Sequence, residues 1–187
     1  MVGTRGGCFV ITLTTDRLLL RPFRAEDIEA YAAFCADPEV MRFLGDRGVL
    51  ARDDAWRQMA MLAGHWTLRG YGIWALEERA TGVLVGRAGL HYPEGWPEPE
   101  VGWALARPYW GRGLAYEAAR TAMDYAFNQL GWTRAMSLID AANTRSIRLA
   151  ERLGERYERD VTVRGHRVGL YGIQASGWRS SHHYPLL

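Results

Sequence analysis

The sequence predicts an α/β (α+β) domain built on a mixed, mostly antiparallel sheet with helices on its faces. Strand-like and helix-like segments alternate along the chain, which is typical of this fold class. Gly165 separates two strand-like segments at hairpin spacing, which favours antiparallel pairing. The length of 187 residues suits one domain. Because no apolar run approaches the roughly 18 residues of a membrane span, no membrane partner is predicted.

The chain divides into a predicted loose start (residues 1–12), a folded domain (13–174) and a polar tail (175–187). The predicted strands are Arg17–Phe23, Gly72–Glu77, Val83–Tyr92, Val101–Ala106, Thr133–Ile139, Tyr157–Val163 and Arg167–Ile173. The predicted helices are Ala25–Cys35, Asp53–Leu68, Ala115–Leu130 and a helix capped by Asn143 that runs to Leu153.

Two of these helices have a periodic apolar face. The face of the later one recurs at i, i+3 and i+4 and is rich in alanine, which lets a helix lie close to a sheet; it comprises Ala115, Ala118, Ala119, Ala122, Met123, Ala126, Phe127 and Leu130. The apolar face of the earlier helix is predicted to be Ala55, Trp56, Met59, Ala60, Ala63 and Trp66. Glycines after Leu130 and Leu153 are predicted to end their helices.

Composition excludes several classes of protein. All 23 basic residues are arginine, so a Schiff-base lysine and a Walker A lysine are both absent. A net charge of +2 is too small to indicate nucleic-acid binding. Two cysteines, Cys8 and Cys35, cannot form a disulfide framework or a zinc site, and the five histidines have no metal-binding spacing. The cysteine count fits a reducing compartment, which favours a cytoplasmic location.

The segment from Glu100 to Ala115 contains the strongest functional signal. It combines a short strand, a loop containing Gly111 and Gly113, and the start of the alanine-rich helix. Glycines ahead of a helix leave main-chain N–H groups free to surround a phosphate, but they also occur wherever a turn needs positive φ. The dinucleotide-binding fingerprint does not fit, because Tyr116 occupies the place of its third glycine.

Four motifs, in order, resemble the GNAT superfamily of N-acetyltransferases and its RimJ/RimL-like branch. The segment Trp110–Ala115 (WGRGLA) resembles the acyl-CoA pyrophosphate loop, within PYWGRGLAYEA at 108–118. The other three are LLLRPF near the start, ADPEVMRFLG at 36–45 and NTRSIRLAERLG at 143–154. The resemblance extends over roughly Leu13 to Ile173.

The resemblance implies transfer of acetyl from acetyl-CoA, as cosubstrate, to an amine, on a sheet that is splayed at the cofactor site. The thioester arm would pair with the strand ending at Leu105 and Ala106, Asn143 would contact the pantetheine arm, and Ser146 would lie near the thioester sulfur. The pyrophosphate would bind main-chain amides of Gly111, Arg112, Gly113, Leu114 and Ala115, with the Arg112 side chain as a possible charged contact.

Three positions depart from the superfamily pattern. Trp110 stands where Gln or Arg usually begins the loop, although tryptophan is common in the RimJ/RimL-like branch. Ala150 stands where some relatives have a tyrosine acid, and Glu155 stands where an aromatic residue usually follows the glycine. The missing tyrosine puts a tyrosine general acid in doubt.

The chemistry of such a transfer needs a base, because only a neutral amine attacks a thioester. Glu100, just before the loop, is the candidate catalytic base; the alternative is a solvated acidic turn with Glu94 and Glu98. Ser146 is the candidate hydrogen-bond donor to the leaving thiolate, or instead a partner in the helix cap made by Asn143.

Other roles remain open. Arg145, Arg148 and Arg152 either meet the nucleotide 3′-phosphate or, as we favour, form an exposed face paired with Glu151 and Glu155. Trp66, Trp74 and Trp96, with Glu94 and Glu98, either hold a cationic acceptor or, as we favour, pack in the core. His91 is either a lining residue of the acceptor site or simply packed.

The sequence therefore predicts a GNAT-fold N-acetyltransferase that works by direct attack, with no acyl-enzyme. The acceptor amine is a protein N-terminus, a polyamine or another small molecule. A non-catalytic acyl-CoA-binding module of the same fold is the alternative.

Overall fold

A computed structural model describes residues 11–45 and 48–178, which form helices around one eight-stranded sheet. The strands are β1 (Leu13–Thr14), β2 (Leu18–Arg21), β3 (Ile73–Glu78), β4 (Val83–His91), β5 (Glu100–Leu105), β6 (Arg134–Ile139), β7 (Arg156–Val163) and β8 (His166–Gln174). The helices are α1 (Ile28–Ala36), α2 (Pro38–Met41), α3 (Arg52–Arg69), α4 (Leu114–Asn128), α5 (Thr144–Leu153) and α6 (Ala175–Trp178).

The sheet splits between β5 and β6. Its strand order is β1-β2-β3-β4-β5-β6-β8-β7, and every neighbouring pair is antiparallel except β5 with β6. These two strands are parallel and share a single register pair, Glu100 with Met136. Past that pair they diverge, so the edge of β5 that faces β6 has no neighbouring strand. The predicted fold class, a mixed and mostly antiparallel sheet flanked by helices, is confirmed.

Helix α4 packs its alanine-rich face on the sheet. Six of the predicted positions are fully or almost fully buried: Ala118, Ala119, Ala122, Met123, Ala126 and Phe127. The helix ends at Asn128, two residues earlier than predicted, and Gly131 follows with a φ of 70°. This packing fixes the position of the helix N-terminus beside the split.

The apolar face predicted for α3 is wrong in part. The buried residues are Ala55, Met59, Leu62, His65 and Trp66. Trp56 is 55% exposed, and Ala60 and Ala63 are also exposed. The buried positions recur from Ala55 at intervals of three and four residues. Apolar residues on the opposite face prevented this buried face from being identified in the sequence.

The start of the predicted polar tail is part of the fold. Residues 175–178 form α6, where Trp178 is buried and donates its indole N–H to Asp124 at 2.7 Å. Residues 1–10, 46–47 and 179–187 lie outside the described residues, together with Cys8, His182 and His183. None of the described helices is long and apolar enough to cross a membrane.

Candidate active site

Two cavities meet in the split between β5 and β6. The larger, of about 840 Å³, lies against the loop before α4 and the first turns of α5. The smaller, of about 240 Å³, lies against the start of β5, the end of β4 and the β7–β8 turn. Both are lined by Phe43, Leu44, Trp103, Ala104, Asn143 and Ser146. A molecule in the larger cavity can therefore reach a second molecule in the smaller one.

The loop before α4 presents unpaired main-chain donors to the larger cavity. Gly111 and Gly113 have φ values of 74° and 78°, which disfavour any residue with a Cβ. Within the described part of the chain, the N–H groups of residues 111–115 meet no acceptor, and no side chain caps the helix. Because a helix N-terminus also carries partial positive charge, this loop is a ready site for a phosphate group.

The Arg112 side chain does not contribute to that site. Its guanidinium lies 2.5 Å from Glu78 on β3 and 5.3 Å from the centre of the Tyr109 ring, away from the larger cavity. The side chain therefore does not lie where the charged contact considered from the sequence would be made, whereas its main-chain amide stays in the loop. The ion pair instead fastens the loop to the sheet.

Trp110 fastens the other end of the loop. Its indole N–H donates to the Leu105 carbonyl at 2.7 Å, and its ring lies 4.6 Å from the guanidinium carbon of Arg145. The tryptophan therefore holds the loop against the end of β5 without blocking the free amides.

The open edge of β5 is partly occupied by the protein itself. The Val101 carbonyl accepts from Ser137 Oγ at 2.7 Å, and the Leu105 carbonyl accepts from Trp110. The Ala106 N–H turns into the sheet and donates to Val85 at 2.9 Å. Alternate residues of a strand direct their main-chain groups to the same side. The main-chain groups of Trp103, which is midway between Val101 and Leu105, therefore face the split. The main-chain groups of Trp103 are therefore better placed than those of Ala106 to pair with the thioester arm expected from the sequence.

Asn143 and Ser146 lie where the cavities meet. Asn143 Oδ1 accepts the main-chain N–H of Ser146 at 3.2 Å, which confirms the predicted helix cap. The cap occupies the side-chain oxygen and leaves the NH₂ group available. Ser146 Oγ accepts from the Trp103 indole at 3.3 Å, so the hydroxyl proton is free to be donated into the cavity. For both residues, a role in the helix cap is therefore compatible with the contact to the cosubstrate expected from the sequence.

Glu100 is a buried carboxyl group that lines the smaller cavity. Its Oε2 accepts from the Trp96 indole at 2.7 Å and its Oε1 accepts from the Leu138 N–H at 3.4 Å. Burial raises the pKa of Glu100 to about 7, against the lowering effects of these hydrogen bonds and of Arg87. A carboxyl group with such a pKa accepts a proton efficiently near neutral pH.

The other acidic residues of the β4–β5 loop have different surroundings. Glu94 is fully exposed, and Glu98 pairs with Arg134 and Arg159 at 2.7 Å each, towards β7. Glu100 is therefore not part of a solvated acidic turn. Trp66 and Trp74 are core residues, as favoured from the sequence, whereas Trp96 lines the smaller cavity.

The arginines of α5 line the larger cavity. Arg145, Arg148 and Arg152 all contribute to its wall, and the guanidinium carbon of Arg152 lies 3.9 Å from the centre of the Tyr116 ring. The three arginines are exposed, as favoured from the sequence, but the expected ion pairs with Glu151 and Glu155 are not found among the described residues, and Glu155 is fully buried.

From the sequence, Glu155 was expected to be a departure from the family pattern and an ion-pair partner of the α5 arginines, not a buried residue. It is fully buried, with Oε1 3.0 Å from Ser137 Oγ. Ser137 has one hydroxyl proton and lies closer to the Val101 carbonyl, so the neutral acid, which can itself donate, is the form of Glu155 that fits. Burial raises the pKa of Glu155 well above its ordinary value. These hydrogen bonds connect the start of β7 with β6 and β5 at the split.

His91 lines the smaller cavity and is also packed. Its ring lies 5.5 Å from that of His65 and 5.1 Å from that of Trp96. Burial lowers the pKa of His91 to about 3. The imidazole is therefore neutral at physiological pH and contributes no charge to the cavity.

Comparison with known proteins agrees with this geometry. Residues 17–156 match the acetyltransferase (GNAT) domain family. The uncharacterised protein YkkB of Bacillus subtilis is 32% identical over 167 residues, covering 85% of this chain and 93% of that protein. An acetyltransferase structure from Agrobacterium tumefaciens is 30% identical with a TM-score of 0.78, covering 92% of this chain and 99% of that one.

A more distant structure shares the fold. The structure of AAC(6')-Ib in complex with ribostamycin and coenzyme A has a TM-score of 0.76 at 17% identity, covering 90% of this chain and 99% of that one. The family match spans most of the described residues, including the whole loop before α4. The chain belongs to the GNAT acetyltransferase family.

Proposed function

We propose that this protein transfers an acetyl group from acetyl-CoA to the nitrogen of an amine by direct attack on the thioester. The observation that carries the proposal is the meeting of two cavities, one beneath free main-chain amides and the other beside a carboxyl group with a pKa of about 7. The four sequence motifs further favour the RimJ/RimL-like branch.

The larger cavity fits the cosubstrate in its charges and its donors. The amides of residues 111–115 would bind the diphosphate, the main chain of Trp103 would pair with the pantetheine arm, and the Asn143 NH₂ would add a hydrogen bond. The cavity-lining arginines of α5 supply positive charge for the 3′-phosphate. Coenzyme A is present in the AAC(6')-Ib structure, which has the same fold.

The smaller cavity fits the acceptor. Glu100 takes a proton from the acceptor nitrogen, which leaves a lone pair for attack on the thioester carbonyl. A C–N bond forms as the C–S bond breaks, the electrons of that bond leave with sulfur, and the second proton lost by the nitrogen passes to the thiolate, which is released as free thiol. Ser146, at the junction of the cavities, donates a hydrogen bond to the departing thiolate. Acetyl-CoA supplies the activated acetyl group, and this chain supplies the base and the alignment.

A screen of amine acceptors tests this function. Free thiol is measured with a chromogenic thiol reagent in the presence of acetyl-CoA and each amine, and mass spectrometry detects the acetylated product. The proposal predicts amine-dependent thiol release with an equal amount of acetylated amine. Tight binding of acetyl-CoA without turnover on any amine, including peptides with free N-termini, would instead support the non-catalytic alternative.

A further inference from the structure

Arg87 is a charged residue of the smaller cavity with no assigned role. It lies in the middle of β4, is partly buried and lines the cavity. Among residues 11–45 and 48–178, no hydrogen bond or ion pair to its guanidinium is found. The more deeply buried Arg21 is paired with Asp27 at 2.7 Å. Since a guanidinium away from solvent is normally paired, Arg87 is poised for an anion that enters the cavity.

A second donor faces the same space. The Oε1 atom of Gln58 on α3 accepts from the Tyr31 hydroxyl at 2.7 Å, which leaves the Gln58 NH₂ group to donate. Gln58 lines the same cavity as Arg87. An amide NH₂ and a guanidinium together form a suitable donor set for a carboxylate.

The sheet leaves open space between Arg87 and Glu100. Arg87 pairs with Ala104 and His91 pairs with Glu100, so Arg87 and Glu100 are on one face, four residues apart in the β4–β5 ladder. This separation is about 13 Å along the strands. The pair between them is Gly89 with Gly102, and a Cβ at Gly102 would meet only Glu100 Oε1, at 3.9 Å. The floor of the cavity is therefore bare beside the catalytic carboxylate.

The remaining charges do not oppose this arrangement. Asp140 lines the cavity, but its Oδ1 accepts the Ala142 N–H at 2.7 Å beyond the end of β6. Arg164, in the β7–β8 turn, adds positive charge near the Trp96 ring, 5.6 Å from its centre. Its φ of 48° is the single positive value at a non-glycine position among the described residues.

The geometry points to an acceptor that carries both a nucleophilic amine and a carboxylate, as an amino acid does. Its carboxylate pairs with Arg87 and Gln58 while its nitrogen lies over Gly102 beside Glu100. This inference rests on the proposed function and narrows it: polyamines and other polycations, which bring only positive charge towards Arg87, are poor acceptors.

Matched acceptors test the inference. The kcat/KM values are compared for L-amino acids and their amides, such as L-phenylalanine and L-phenylalaninamide, with spermidine as the polycation. The wild-type protein is expected to prefer at least one free acid over its amide by about ten- to hundredfold, the range for a hydrogen bond to a charged group. Arg87→Gln is expected to remove that preference and to leave the dissociation constant of acetyl-CoA unchanged.

The control is Arg167→Gln, which changes an exposed arginine of β8 that is paired with Asp160 and does not line the cavity, and it should keep the preference. If the wild-type protein acetylates amides and spermidine as well as the free acids, or if Arg87→Gln slows all acceptors equally, the inference is overturned while the proposed function stands. If no amine is acetylated at all, the proposed function itself fails. The comparison of acceptors with the wild-type protein tests the inference even if Arg87→Gln does not fold.

Discussion

Replacing Glu100 by Gln removes the proposed base and nearly preserves its shape. General-base catalysis contributes typically about 10²–10⁴ in rate, so kcat/KM for the acceptor should fall by that factor at pH 8. Because Glu100 does not line the larger cavity, the dissociation constant of acetyl-CoA should not change. Thiol release measured at saturating acetyl-CoA provides the rate, and calorimetry provides the affinity.

The pH dependence makes this prediction sharper. With a pKa of about 7, Glu100 is ionised to roughly one tenth at pH 6 and nine tenths at pH 8. The ratio of wild-type to Glu100→Gln kcat/KM should therefore rise about tenfold over this range, with the ionisation of the amine itself cancelled. A carboxyl group with an ordinary pKa would keep this ratio nearly constant.

A matched control is available in the loop that precedes β5. Glu94→Gln changes a fully exposed carboxylate six residues earlier, and it should leave both the rate and its pH profile unaltered. Equal turnover by the Glu100→Gln and wild-type proteins would refute the assignment of the base, and a ratio independent of pH would refute its raised pKa.

Three further changes test the surroundings of the site. Gly113→Ala places a Cβ at a φ of 78°, which should cost about 1–2 kcal/mol of stability and weaken coenzyme A binding in calorimetry; unchanged affinity would count against the loop. Asn143→Ala should lose about 0.5–2 kcal/mol with the helix cap, whereas Asn143→Asp should keep the cap and lose only cosubstrate affinity, so equal affinity in both variants and wild type would exclude a contact. Glu155 has a pKa above its unfolded value, so its contribution to stability is fully present below about pH 4.3 and declines as pH rises towards its folded pKa, by about 1.4 kcal/mol per unit. Glu155→Gln should therefore become more stable relative to wild type between pH 5 and 8 in denaturant titrations; a constant difference would show that Glu155 is ionised in the fold.

Local sequence signals predicted the framework of the site. The spacing of apolar residues located α4, and the glycines located the loop at its N-terminus, because both depend on residues close together in the chain. The buried face of α3 could not be identified in the same way, because Trp56 is an apolar residue on the exposed face. Only packing in the core, chiefly against α1 and α2, selects Ala55 and Met59 instead.

Features that depend on long-range contacts could not be predicted from the sequence. The Arg112 side chain turns away from the loop because Glu78, on β3, lies within reach. Glu155 is visible in the sequence as an unusual residue after Gly154, but its burial against Ser137 depends on how β6 and β7 are brought together. The isolation of Arg87 likewise follows from the small residues opposite it in the ladder rather than from its own neighbours in the chain.

The proposed function depends on binding of the cosubstrate diphosphate by the free amides before α4. Titration of ¹⁵N-labelled protein with coenzyme A, followed by amide NMR, tests it residue by residue. The signals of Gly111, Gly113, Leu114 and Ala115 are expected to shift strongly downfield as phosphate oxygens accept from their N–H groups. Saturable binding of coenzyme A that leaves these four signals in place would contradict it.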